Sequence, residues 1–111
     1  MDNAVSATLN HTCVLALRAG NVGGPGGLLA STDTGIVTDE TWKCSGSWQA
    51  GWSLEYFDDS SWDNAYVVGV HGDVTWGRID GIDESAKWIW DSGYTEGRST
   101  TYCRKNICDS M

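Results

Sequence analysis

The chain has 111 residues, 41% hydrophobic and 20% charged, with 15 acidic against 7 basic side chains and a net charge of −8. That length fits one domain with one modest core, and the apolar content excludes a disordered chain. No basic cluster is denser than Arg104-Lys105, which argues against nucleic acid and anionic membrane surfaces as partners.

The first apolar run, Cys13 to Ala19, reads as a strand bounded by Asn10 and by Gly20-Asn21. Gly23-Gly24-Pro25-Gly26-Gly27 is a turn signal, and no lysine or helix follows it to make a phosphate loop. Leu28-Leu29-Ala30 opens a second run. Ile36-Val37 and Trp42-Lys43-Cys44 read as short strands, while Trp52 to Phe57 fits no single period. Asp58-Asp59-Ser60-Ser61 has the composition of a tight turn, because each side chain can bond its local backbone. Tyr66 to Val70, Trp88-Ile89-Trp90 and Thr100 to Cys103 complete the strands. No window holds a convincing helix; at most one helical turn fits near Asp58–Trp62 or Ser85. Short strands at intervals of roughly ten residues predict an all-β sandwich or barrel. No stretch is long enough to cross a membrane.

Four cysteines, Cys13, Cys44, Cys103 and Cys108, contain no C-x-x-C pair, which argues against a zinc ribbon or a redox motif. Two disulfides fit better and place the protein outside the cytosol, with three connectivities open. Asn10-His11-Thr12 is a glycosylation sequon and agrees with secretion. The first fifteen residues lack the basic start and long apolar run of a signal peptide. Either the sequence is that of a mature piece, or the extracellular assignment fails.

Seven tryptophans must fill a core or lie open as platforms, and four of them fall between Thr41 and Gly69. Trp42, Trp62, Trp88 and Trp90 sit in strands or at turn ends and are expected in the core. Trp88 and Trp90, two apart, share one face of a regular strand. Trp48 and Trp52 in "SGSWQAGW", and Trp76 in "HGDVTWGR", lie among Gly and Ser and suit a sugar platform. An indole face stacks on the C–H groups of a sugar, whose hydroxyls need nearby acids, amides or Arg. His71, Asp73 and Arg78 supply such groups beside Trp76; the alternative is a loop whose Trp folds back onto the sandwich. Asp58-Asp59 and Asp80, Asp83, Glu84 offer oxygen ligands for calcium, but neither fits an EF-hand. An Asx turn and a solvated acidic loop explain them more simply, so no cofactor is expected. No nucleophile, zinc-protease or phosphate-loop motif appears, which argues against an enzyme.

The phrases "AGNVGGPGGLLAS", "VTDETWKCS", "GWSLEYFDDSSWDNA", "VVGVHGDVTWG", "AKWIWD" and "YCRKNI" together resemble the galactose-binding-domain-like β-sandwich. The resemblance runs from about Cys13 to Ile107. It implies a jelly-roll-type antiparallel β-sandwich, found as an accessory or carbohydrate-binding domain of glycoside hydrolases and in lectin-like extracellular proteins. Some relatives in that broad fold hold a structural calcium. By the family's architecture "WKCS" and "YCRK" pair as strands, which implies Cys44–Cys103 and leaves Cys13–Cys108. The order departs from the enzyme-associated pattern, because the WIW…YCRK pair closes this chain. The opening, "MDNAVSATLNHTCVLALRA", is contracted, so residues 1–111 resemble a rotated, shortened domain or a piece of a tandem array. A sandwich short of a strand leaves an open edge that a second chain could fill. The expected function is non-catalytic glycan binding through Trp76, Trp52 and Trp48 with Asp73, His71 and Arg78. The alternative is an adhesive module that assembles into oligomers or filaments by strand addition.

Overall fold

A computed structural model describes residues 13–21, 26–32, 34–54, 56–72, 77, 79–94 and 99–107, and the backbone path of 2–7. The described residues contain no helix. Eight strands form two four-stranded sheets: β1 (Asp2–Ala7), β2 (Val14–Asn21), β3 (Gly27–Thr32), β4 (Lys43–Ser45), β5 (Asp63–Asn64), β6 (Tyr66–Val70), β7 (Lys87–Trp90) and β8 (Ser99–Asn106). One sheet has the order β1-β3-β7-β6 and the other β2-β8-β4-β5. All pairs are antiparallel except β1 with β3, which run parallel in register from Asp2↔Gly27 to Ala7↔Thr32. The expected all-β sandwich is therefore present, with one parallel edge pair added.

Burial follows from strand alternation. Cys44 and Cys103 stand opposite each other on β4 and β8 and form a disulfide facing the other sheet. They meet Ala19, Leu28, Ile89 and Trp90 in one buried cluster, closed by Trp42 and Ala65. Cys13 is also disulfide-bonded; its expected partner, Cys108, lies outside the described residues. On the opposite face of β3 and β7, Leu29 and Trp88 join Ile82 and Ala86 in a second cluster. Trp88, Ile89 and Trp90 are all buried, so β7 is covered on both faces. Trp88 and Trp90, expected on one face of a regular strand, fall in different buried clusters.

Ile36-Val37 does not form a full strand; Val37 makes a lone bridge to Ser31. Thr38 explains why a strand is not needed there. Its hydroxyl donates to the Lys87 carbonyl (2.7 Å) and accepts from the Ala30 amide (3.1 Å). Its own amide donates to Ala30 O, and its carbonyl accepts from Lys87 N. This fully buried threonine thus ties β3 to β7 where their direct ladder is short.

Candidate functional site

Strand alternation turns Tyr102 and Arg104 away from the core, because Cys103 between them faces inward. The connection between β4 and β5 lies over that outer face. The Arg104 guanidinium, fully buried, donates from Nη1 to the Phe57 carbonyl (3.0 Å) and to Asp59 Oδ2 (2.6 Å). Its Nη2 donates to the Leu54 carbonyl (2.7 Å), and the cation sits 5.3 Å from the Phe57 ring centre. Phe57 meets Trp62 edge-on at 5.4 Å, and Trp52 meets Tyr102 edge-on at 5.2 Å. The Asp58 carboxylate accepts the Ser60 amide and Trp62 N bonds Asp59 O, so the expected tight turn is an Asx turn and not a helical one.

The sequence candidates separate on this frame. Trp48 is 62% exposed and keeps an open indole face. Trp52 is half-buried against Tyr102, so it serves the packing of the connection more than a ligand. His71 Nε2 accepts the Ile79 amide (2.8 Å), which leaves Nδ1–H to donate to the Asp83 carbonyl (3.0 Å). Both ring nitrogens are thereby occupied, and the imidazole clips the 79–83 turn to the end of β6. Asp73, Trp76, Arg78 and the sequon asparagine Asn10 lie outside the described residues. Trp42, Trp62, Trp88 and Trp90 are all buried, as their positions predicted.

Sequence reasoning missed a polar hollow of about 240 Å³ formed where β4, β5 and the end of β7 converge. Ser45, Ser47, Gln49, Asp63, Asp91 and Ser92 line it, with Trp62 in its wall. Ser92 Oγ donates to Asp63 Oδ2 (2.7 Å), and Asp91 Oδ1 accepts the Gly93 amide (2.9 Å). Gly46 passes over the Asp91 carboxylate; a Cβ there would come 3.5 Å from Oδ2. The Ser47 amide donates to Ser45 Oγ (3.1 Å), which fixes that hydroxyl. The Trp62 indole N–H is buried without an acceptor among the described residues. Trp48 stands between two lining residues, Ser47 and Gln49. Hydroxyls, carboxylates and an amide converging in one hollow suit a polyhydroxylated ligand. No single motif signals this hollow, since Ser, Asp and Gln in turns are ordinary.

Among the described residues, no group of three or more His, Cys, Asp or Glu is placed to hold a metal ion. Of the calcium candidates, Asp58 and Asp83 cap turns and Asp59 pairs with Arg104. The Ser60 hydroxyl and then its amide hold the Asp58 carboxyl below its usual range. The Ser85 hydroxyl and amide do the same for Asp83. No described helix is long and apolar enough to cross a membrane. No family model, curated protein or solved structure matches the chain.

Proposed function

We propose that this chain is a non-catalytic, extracellular carbohydrate-binding module of the galactose-binding-like jelly-roll type. The observation that carries the reading is a hollow lined by hydroxyls and carboxylates, two of whose lining residues, Ser47 and Gln49, flank the exposed Trp48 in sequence. The Trp48 face stacks on the C–H side of a sugar, while Asp63 and Asp91 accept from its hydroxyls and Gln49 and the serines complete the pattern. Disulfide bonding supports an extracellular setting. A glycan array on the oxidised protein tests this, with Trp48→Ala and Asp63→Asn alongside. Selective binding lost in both variants is the expected outcome. Binding lost in Trp76→Ala but kept in Trp48→Ala would move the site to the loop after β6. A silent array with folded protein would sink the lectin reading.

One feature favours a second function, assembly through sheet edges. β6 is an edge strand that leaves Tyr66 and Val70 exposed. On that reading the oxidised protein elutes as a concentration-dependent oligomer in light scattering, and Val70→Lys returns it to a monomer. A strict monomer at all concentrations removes it.

A further inference from the structure

Lys43↔Arg104 is the β4–β8 pair at the start of β4, while β8 continues through Lys105 to Asn106 against β2. A second hollow of about 240 Å³ opens at that step, lined by Thr41, Lys43, Asp59, Arg104, Lys105 and Asn106. Three of the chain's seven basic side chains converge there, although the whole chain carries a net charge of −8. Their partners matter. Arg104 is ion-paired with Asp59. Lys43 Nζ bonds only the Trp62 carbonyl and Asn64 Oδ1, both at 3.3 Å, among the described residues. Lys105 Nζ donates to the Thr41 hydroxyl (2.9 Å). Both ammonium groups are thus held by neutral acceptors, and the three cations outnumber the two carboxylates beside them, Asp59 and the Asp39 that accepts from Thr41. Asp59 neutralises the buried guanidinium, so Lys43 and Lys105 carry the positive charge offered to a ligand.

We infer that this hollow binds an oxyanion, a carboxylate or sulfate group, carried on an acidic saccharide. The lysines supply charge-assisted N–H donors, and the Asn106 side-chain amide adds a neutral one. The volume suits one acid group with part of one ring, being smaller than the roughly 300–1,000 Å³ of a drug-sized cleft. The saccharide part of this inference rests on the carbohydrate reading above; the oxyanion part stands alone. Ser45 lines the polar hollow and Lys43, two residues earlier on β4, lines this one.

Nuclear magnetic resonance titration of the oxidised chain tests the site, with three probes: inorganic sulfate, a sulfated uronate-containing tetrasaccharide, and a neutral tetrasaccharide. Sulfate and the acidic tetrasaccharide are expected to shift the amides of Thr41, Lys43 and Asn106. Lys43→Gln and Lys105→Gln are each expected to weaken them roughly tenfold, a loss that added sodium chloride reproduces. Both variants replace half-buried surface lysines, and an unchanged spectrum elsewhere confirms that they fold. Shifts with sulfate alone keep the oxyanion site, assign it to a small free anion and remove the saccharide. Binding of the neutral probe, unchanged by either variant and with no response to sulfate, overturns the inference and leaves the carbohydrate reading intact. No shift at Thr41–Asn106 with any probe overturns the inference outright.

Discussion

The connection between β4 and β5 covers the outer face of one sheet, and residues 79–86 cover the outer face of the other. The first is anchored by a buried guanidinium that binds backbone carbonyls and Asp59. The second is anchored by Ile82 and Ala86 packed on Leu29 and Trp88, with His71 as a clip. An apolar anchor turns the apolar side chains inward, so Asp80, Asp83, Glu84 and Ser85 are left in water. A guanidinium anchor takes mainly carbonyls, which every residue has, so fewer side chains of the segment need to turn inward. Trp48, Leu54 and Tyr56 accordingly end exposed, Tyr56 at 84%. The way a covering segment is held decides which surface it can offer a ligand.

The largest break in that contrast comes from Arg104→Met. It strips three acceptors of their donor and leaves Asp59 without its counter-charge, at a cost of roughly 3–5 kcal/mol by denaturant unfolding. A loss under about 1 kcal/mol would class the pair with exposed ion pairs and undo the anchoring argument. Ile82→Ala removes the apolar plug and should cost roughly 2–4 kcal/mol. Hydrogen exchange should then rise in residues 79–86 while the amides of Phe57–Trp62 stay protected. Equal loosening of both segments would show that they are not independently held.

Gly27→Ala probes the floor beneath the apolar cover. Its Cβ would lie 2.9 Å from the Trp88 ring, so the indole must shift, at about 1–3 kcal/mol. A neutral result would mean that Trp88 is loosely seated. The smallest effect separates the two segments by pH. Asp58 lies in one and Asp83 in the other, and both carboxyls are held low in the folded chain by a serine hydroxyl and its amide. A depressed folded value contributes stability above the unfolded value of about 3.9, and loses it as pH falls through the lower folded one. Asp58→Asn and Asp83→Asn should each flatten the stability profile slightly below about pH 4. An unchanged slope in either would mean that its turn cap survives unfolding or does not form in solution.

The strands that could be read in advance are those whose residues favour a pleated surface: Val14–Asn21, Tyr66–Val70 and Lys87–Trp90 are rich in Val, Ile, Leu or Trp. Asp2–Ala7 and Asp63–Asn64 could not be read, since Asp and Asn are poor strand formers. They pair because an existing edge, β3 or β4, offers free donors and acceptors. The buried tryptophans were legible from strand positions, but His71 looked like a ligand hand until both its nitrogens found partners. The polar hollow was hidden for a different reason. Ser45, Asp63 and Asp91 are far apart in sequence and meet only after β4, β5 and β7 are placed. Arg104 read as half of a small basic pair, because nothing local announces a partner 45 residues earlier.

The ladder between β2 and β8 has a bearing on synthesis. It joins Val14 to Asn106 and Asn21 to Ser99, so β2 has no partner on that sheet until β8 has been made. At a ribosomal rate of roughly 5–20 residues per second, that wait is on the order of 10 s. For that interval Val14, Leu15 and Leu17 belong to a nascent chain with a bare strand edge. The surplus of acidic residues that follows them, by mutual repulsion, helps keep neighbouring copies from pairing in its place.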